Sequence, residues 1–325
     1  MPSCTAHVRF RGQSGHDFLR CECLLLTQSG HRLGRIPMAI KIKEVSSVNE
    51  AFRELEVLAL RNSGDMAFRG HGDAGWRLQS TLCRHTYEGF VDAIDSMDEM
   101  LDRFYSCLAS LGKLPRERMS RRVLLEYARH YGVPSPLIDF SRSPYVALWM
   151  AFNGVRKREK EMVSVYALSV SGLGVLWRQH SKSAEAYEEF RRTEHSDIFE
   201  DGYSLNVLRL IERPSSWNTR MLRQQGLFVY DALSYGPKAA FKDLEDFIEN
   251  SEDPQGEDGR DTFTLHKIVI PKLFVGDIFA KLELMGVDGT RLFDNHEGAV
   301  ADVKNAYVFN PQSGYTHDRP WRKEE

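Results

Sequence analysis

No run of about 18 apolar residues occurs in this chain, so nothing in it reads as a membrane-spanning helix. The opening stretch MPSCTAHVRFRGQSGHDF lacks the apolar core of a secretory signal. Cysteine is scarce: Cys4, Cys21, Cys23, Cys83 and Cys107 form no CxxC pair, and Cys21 and Cys23 have no partner downstream at zinc spacing. That pattern excludes a disulfide framework and predicts reduced thiols and no metal site. Charge of one sign is missing too. With 43 Lys and Arg against 46 Asp and Glu the net charge is -3, so no global basic surplus marks a nucleic-acid binder, although a local basic patch stays open. No internal repeat or low-complexity tract is present. These absences together predict a cytoplasmic protein that makes no use of a membrane.

What is there is ordinary globular material, 42% hydrophobic and 27% charged, and 325 residues suffice for a sizeable core. Residues 1–45 alternate weakly, in CECLLLTQ and IPMAIKIKEV, and read as a strand-rich extension. Ser46 or Ser47 then caps a helix in which Phe52, Leu55, Val57, Leu58 and Leu60 fit one face and Gly64 is the stop. MAFRG is a short strand that delivers Arg69 to a sheet edge. Residues 91–111 predict an acidic amphipathic helix, and RRVLLEYARHYG predicts another that ends at Gly132. PSPLIDFS is extended because Pro134 and Pro136 forbid a helix. SPYVALWMAFNG opens with Ser at the cap and Pro at the first helical position and is apolar nearly all round, the mark of a buried helix.

MVSVYALSV, GLFVYDAL and TFTLHKIVIP read as strands, KLFVGDIFAKLELMG and GAVADVKNAY as helices. Between them lie a polar, charged segment, SKSAEAYEEFRRTEHSDIFEDG, that reads as an exposed helix or an excursion, and an acidic loop, SEDPQGEDGRD. The order is not a regular βαβ alternation. The expected class is therefore α+β, with mixed or antiparallel sheets forming a cleft flanked by helices.

Polar residues concentrate where apolar runs end. Arg69 cannot shed its charge, so it needs an acid, a phosphate or a carbonyl; Asp139 or Asp73 would be its structural partner, a ligand its functional one. Gly70 suits either close backbone approach or positive φ. Trp76 and Leu78 alternate toward one face as core residues would. Arg84 is a second phosphate-binding cation or a surface residue. His130, Tyr131 and Gly132 stand where a helix gives way to an extended segment; His130 either compensates the helix dipole or serves as a polar anchor or proton carrier in a cleft. Asp139 and Ser141 point to the same side of their stretch, able to orient a sugar hydroxyl, and Ser141 also suits helix capping. Asn218, Arg220, Gln224 and Gln225 gather before another strand, where amides recognise carboxamides and hydroxyls but carry protons poorly.

Phe68-Arg69-Gly70, followed by Trp76, Leu78, Leu82 and Arg84, resembles the opening motif of the FRG domain family. RHYGVPSPLIDFSRSPYVALWMAF is similar to its second signature, NTRMLRQQGLFVYD and LELMGVDGTRLFDNHEGAVADV to its later segments. The resemblance implies an FRG domain over residues 46–310, between the extension at 1–45 and a tail at 311–325. Two departures stand out: Arg129 replaces the family's Gln, and Ser135-Pro136 replaces its Thr-Arg.

A strand ending in Arg-Gly and an aromatic-Ser segment feeding an Ala-rich helix also resemble mono-ADP-ribosyltransferases. This likeness implies an ADP-ribosyltransferase-like fold with NAD as substrate. Arg69, Gly70, Arg84, Tyr131, Ser141, Arg220 and Gln225 would bind the dinucleotide, and Asp139, His130 and Gln224 would form the catalytic group. The family glutamate is replaced by Gln, which cannot supply its charge, leaving Asp139 to compensate. On this reading the protein is an ADP-ribosyltransferase-like enzyme or NAD glycohydrolase, in the manner of a toxin or phage-defence effector, with a protein or nucleic-acid acceptor. The alternatives are a non-catalytic nucleotide- or nucleic-acid-binding module, with Arg69, Arg84, Arg129 and Arg220 as its phosphate patch, and an interaction domain whose polar clusters are structural.

Overall fold

Met66–His71 (β2) is buried along most of its length, interrupted at Arg69 and Gly70, as a central strand covered on both faces must be. The computed structural model describes residues 40–61, 64–87, 93–113, 120–155, 161–191, 208–212, 218–233, 241–251, 265–293 and 295–309. With Lys41–Glu44 (β1), Leu137–Ser141 (β3), Met162–Ser169 (β4), Leu208–Ile211 (β5), Gly226–Asp231 (β6) and Leu265–Pro271 (β7), β2 forms one seven-stranded sheet. The order is β1-β7-β4-β2-β3-β6-β5. All neighbours are antiparallel except β1 and β7, so the sheet is mixed and the class is α+β.

The helices in chain order are Val48–Arg61 (α1), Thr81–Tyr87 (α2), Ala93–Ser110 (α3), Arg121–His130 (α4), Pro144–Phe152 (α5), Val170–Ser181 (α6), Ala186–Arg191 (α7), Thr219–Arg223 (α8), Leu244–Glu249 (α9), Val275–Leu284 (α10), Gly289–Leu292 (α11) and His296–Phe309 (α12). α5 begins as its sequence requires, with Pro144 in the first turn and the Ser143 hydroxyl accepting from Val146 N. On one sheet face, α1, α5 and α10 bury Phe52, Trp149 and Ile278 against Phe68, Val165 and Ile268. On the same face but the other half of the sheet, α2, α3 and α4 bury Leu82, Leu101 and Leu125 against Leu137, Phe228 and Tyr230. The opposite face is covered by α6, α7 and α9 over Ile138, Phe140 and Tyr166.

The division of that first face follows from the strands beneath it. β2 pairs with β4 along its whole length, from Met66–Ser169 to His71–Ser164, and β3 pairs fully with β6. β2 and β3 share a single register pair, Phe68 with Ser141. Past that rung the two central strands part, and the helices above them separate into two groups.

Several expectations are corrected. Val57 and Leu60 point outward, Leu60 at 80% exposure, and the inner face of α1 is Ala51, Phe52, Leu55 and Leu58. Trp76 is 54% exposed, while Leu78 is fully buried. The strand read through Val170 stops at Ser169, whose hydroxyl accepts from Gly172 N and so caps α6. Helices α2, α6, α9 and α11 and strand β5 were not anticipated. Every described residue belongs to one compact unit, Ile36–Glu325. The expectations for residues 1–39, the acidic loop's residues 252–261 and the tail at 311–325 lie outside the described residues.

Candidate functional site

Where β2 and β3 diverge, a cavity of about 380 Å³ opens between the two helix groups. α4 supplies Glu126, Arg129 and His130; α5 supplies Val146, Ala147 and Met150; Asn218 and α8 supply the polar wall that includes Arg220, and Gln224 follows α8 directly. Arg69, expected to bind the dinucleotide, and His130, Asp139 and Gln224, expected as the catalytic group, all line this cavity.

Arg69 is the link across the seam. Its Nε donates to His71 Nε2 at 2.9 Å, and its Nη1 donates to the Asp139 carbonyl and stands 3.4 Å from Asp139 Oδ2. Arg129 Nη2 donates to the same Oδ2. One carboxylate thus serves two guanidiniums, and the partner of Arg69 is Asp139, not Asp73. Burial pushes the Asp139 pKa up, but Arg129 and Arg69 outweigh it and hold the group below the ordinary carboxylate range. The Asp139 side chain is nonetheless 36% exposed, whereas those of Arg69 and Arg129 are 15% and 17% exposed. Arg129 Nε is buried with no hydrogen-bond partner among the described residues. His71 lies next to this charge. Burial first, then the positive charge of Arg69, pushes its pKa down to about 3, so the ring is neutral and Nε2 is free to accept from Arg69.

Gly70 sets the close packing of the wall. A Cβ there would lie 2.0 Å from Ala147 O and 2.5 Å from Ala151 N, so glycine is required for α5 to sit directly on β2. Close approach is therefore the reason for this glycine. Ser141 braces the far side: its Oγ donates to Gln224 O at 2.7 Å and accepts from Ser143 N at 2.9 Å. Gln224 Nε2 donates to Leu292 O at 3.2 Å, and the Arg220 guanidinium lies 4.3 Å over the Phe293 ring and 3.5 Å from Glu297.

Three expected residues stand elsewhere. Tyr131 is 62% exposed and packs on Tyr127 and Phe104. Gln225 is a turn residue with φ of 48°, exposed, its carbonyl accepting from Arg142 N. Arg84 is exposed on α2 and does not line the cavity, though its charge acts on Arg69 and His71. Two residues at the site were not foreseen. Glu126 is fully buried in the cavity wall and bonded to Arg122 Nε at 3.0 Å; its spacing of four from His130 on one helix was the available signal. His71, directly after the Phe-Arg-Gly strand, carried none.

Ion cluster, seam and the glycine contact between β2 and α5 all lie within one contiguous stretch. Residues 64–160 match the FRG domain. No curated protein and no solved structure matches the chain. The FRG stretch contains β2, β3 and α2 to α5, hence both sides of the seam and Arg69, Arg129, His130 and Asp139. Arg220 and Gln224 come from beyond it, so the cavity is built jointly by the FRG stretch and by later residues. Among the described residues no group of His, Cys, Asp and Glu is placed to hold a metal, and no helix is long and apolar enough to cross a membrane.

Proposed function

We propose that the FRG cavity binds the phosphate groups of a nucleotide, with NAD as the ligand to be tested first. The observation that carries this reading is the meeting of Arg69, Arg129 and Arg220, from three separate parts of the chain, on a cavity where Asp139 alone serves two of them. Arg69 and Arg129 against Asp139 leave a positive surplus, to which the charge of Arg84 adds from α2. The unpartnered Nε of Arg129 is a donor an entering anion would use. His130 and the exposed edge of Asp139, both in the cavity lining, would serve sugar hydroxyls. Binding is favoured over turnover, because both carboxylates in the wall are already engaged: Asp139 by two arginines, Glu126 by Arg122.

Cleavage of the nicotinamide bond is the second reading, and the exposure of Asp139 is what favours it, since the developing ribose cation needs a negative group nearby. A role as a toxin or phage-defence effector rests on the family resemblance alone.

Titration calorimetry with NAD, ADP-ribose, pyrophosphate and adenosine tests the proposal. The phosphate-bearing ligands should bind and adenosine should not. Arg69→Lys should weaken binding tenfold or more, because an ammonium lacks the planar fork, on the order of 1.4 kcal/mol per tenfold. Equal affinity for adenosine and ADP-ribose would overturn it. Nicotinamide release by the wild type, abolished by Asp139→Asn with NAD binding retained, would move the assignment from binder to enzyme.

A further inference from the structure

A second cavity, of about 360 Å³, lies beside α5 and is lined by Trp149, Phe279, Glu283, Asp288, Arg291 and Asp302 among others. Its inner wall is aromatic and its rim is acidic. The rim's cation, Arg291, is already 3.1 Å from Asp288. Asp302 uses both oxygens to hold the start of α11, accepting from Gly289 N at 2.6 Å, Thr290 N at 2.8 Å and Thr290 Oγ1 at 2.5 Å. The Glu283 carboxylate, exposed at the rim, makes no hydrogen bond or ion pair among the described residues. Aromatic rings under a surplus of negative charge suit a cation with an apolar body.

The same element that borders this cavity reaches the first one. α11 lines the second cavity with Thr290 and Arg291, and the carbonyl of its last residue, Leu292, accepts from Gln224 of the first cavity at 3.2 Å. Phe293 follows, 4.3 Å beneath the Arg220 guanidinium, with its ring centroid 5.7 Å from that of Trp149. α11 is also clamped to α12: a Cβ on Gly289 would lie 2.6 Å from Gly298 O, and one on Gly298 2.4 Å from Gly289 O. Phe293 directly follows this clamped helix, so α11 fixes its position.

We propose that the second cavity is an effector site for a small organic cation with a cyclic, apolar body, and that filling it steadies α11 and Phe293 and so holds Arg220 in place for anion binding. The coupling rests on the reading of the first cavity as a phosphate site; the effector site does not. The test uses the full chain with benzylamine, its neutral analogue benzyl alcohol, and inorganic pyrophosphate, each followed by calorimetry.

Benzylamine should bind at least tenfold more tightly than benzyl alcohol, and Glu283→Gln should remove that preference. Saturating benzylamine should tighten pyrophosphate about fivefold, and pyrophosphate should tighten benzylamine by the same factor, because coupling is reciprocal. Ala306→Trp, which places an indole in the second cavity, should block benzylamine and leave pyrophosphate binding in place. Equal binding of amine and alcohol, or binding of neither, overturns the effector site. Amine binding that leaves pyrophosphate affinity unchanged overturns the coupling. If pyrophosphate fails to bind the unmodified protein, the reading of the first cavity falls, while the amine preference still decides the second.

Discussion

The charge of Arg69 is managed by two neighbours of opposite kind, a carboxylate that stays ionised and a histidine that stays neutral. The pKa of His71 near 3 in the fold, against about 6.5 in an unfolded chain, means that between those values the unfolded chain takes up a proton the fold refuses. The contribution of His71 to stability should therefore be constant above about pH 6.5 and fall as pH drops toward 3, by up to about 1.4 kcal/mol per pH unit. Urea midpoints measured at pH 7 and 4.5 should show a larger loss for the wild type than for His71→Gln, whose carbonyl can still accept from Arg69. Asp139 acts in a lower window: its depressed pKa contributes stability that is present above the unfolded value of about 3.9 and is lost as pH falls through the folded value. Asp139→Asn should cost about 2 kcal/mol at pH 7, less than a fully buried pair because the carboxylate is partly open to solvent. Of these residues, Arg69 and Asp139 could be singled out in the sequence because each interrupts a short apolar run with a charge. A histidine one residue past a glycine in a strand has no such signature, and its role emerges only when the strand places it beside the guanidinium.

Elements with strong local punctuation were legible, and elements made by tertiary context were not. α5 announced itself through Ser143, Pro144 and an apolar circumference, and β2, β3, β6 and β7 through short apolar runs with clear stops. α6 carries Gly172 and Gly174 and follows a strand without a break, so its start is fixed by Ser169 capping and not by periodicity. α9 spans only Leu244–Glu249, too short to show a period. α1 misled the reading because Val57 and Leu60 are apolar yet fall on its outer face. The contact between β2 and α5 gives the sharpest test at this scale. Gly70→Ala forces a methyl group against Ala147 O and Ala151 N, backbone atoms that cannot give way as a side chain would, and should destabilise by about 3 kcal/mol. Ser143→Ala, which removes only the cap, should cost about 1 kcal/mol. Denaturant midpoints that rank the two substitutions the other way would show that α5 is held by its cap more than by its seat on β2.

On the level of the whole molecule, the FRG stretch is not a free-standing unit. Residues 64–160 end before β4, which pairs with β2 along its full length, and before β6, which does the same for β3. Expressed alone, residues 64–160 should therefore lack dispersed amide resonances and a cooperative thermal transition; a folded fragment would overturn this account of the sheet. The α+β class could be read from the order of elements, but the joining of all strands into one sheet could not, because β1 reaches β7 across most of the chain. The cavity's later half was partly legible, through Arg220 and Gln224, whereas Phe293 gains its role only by packing under Arg220. The single rung between β2 and β3 has a mechanical consequence. Tension applied between β4 and β6 is borne at that line by the Phe68–Ser141 rung and by the ions around Asp139, which act as a rivet between two stiff plates. A molecule that draws Arg69 or Arg129 away from Asp139 would loosen the rivet, and the chain would yield to a pulling force along the line where it does its binding.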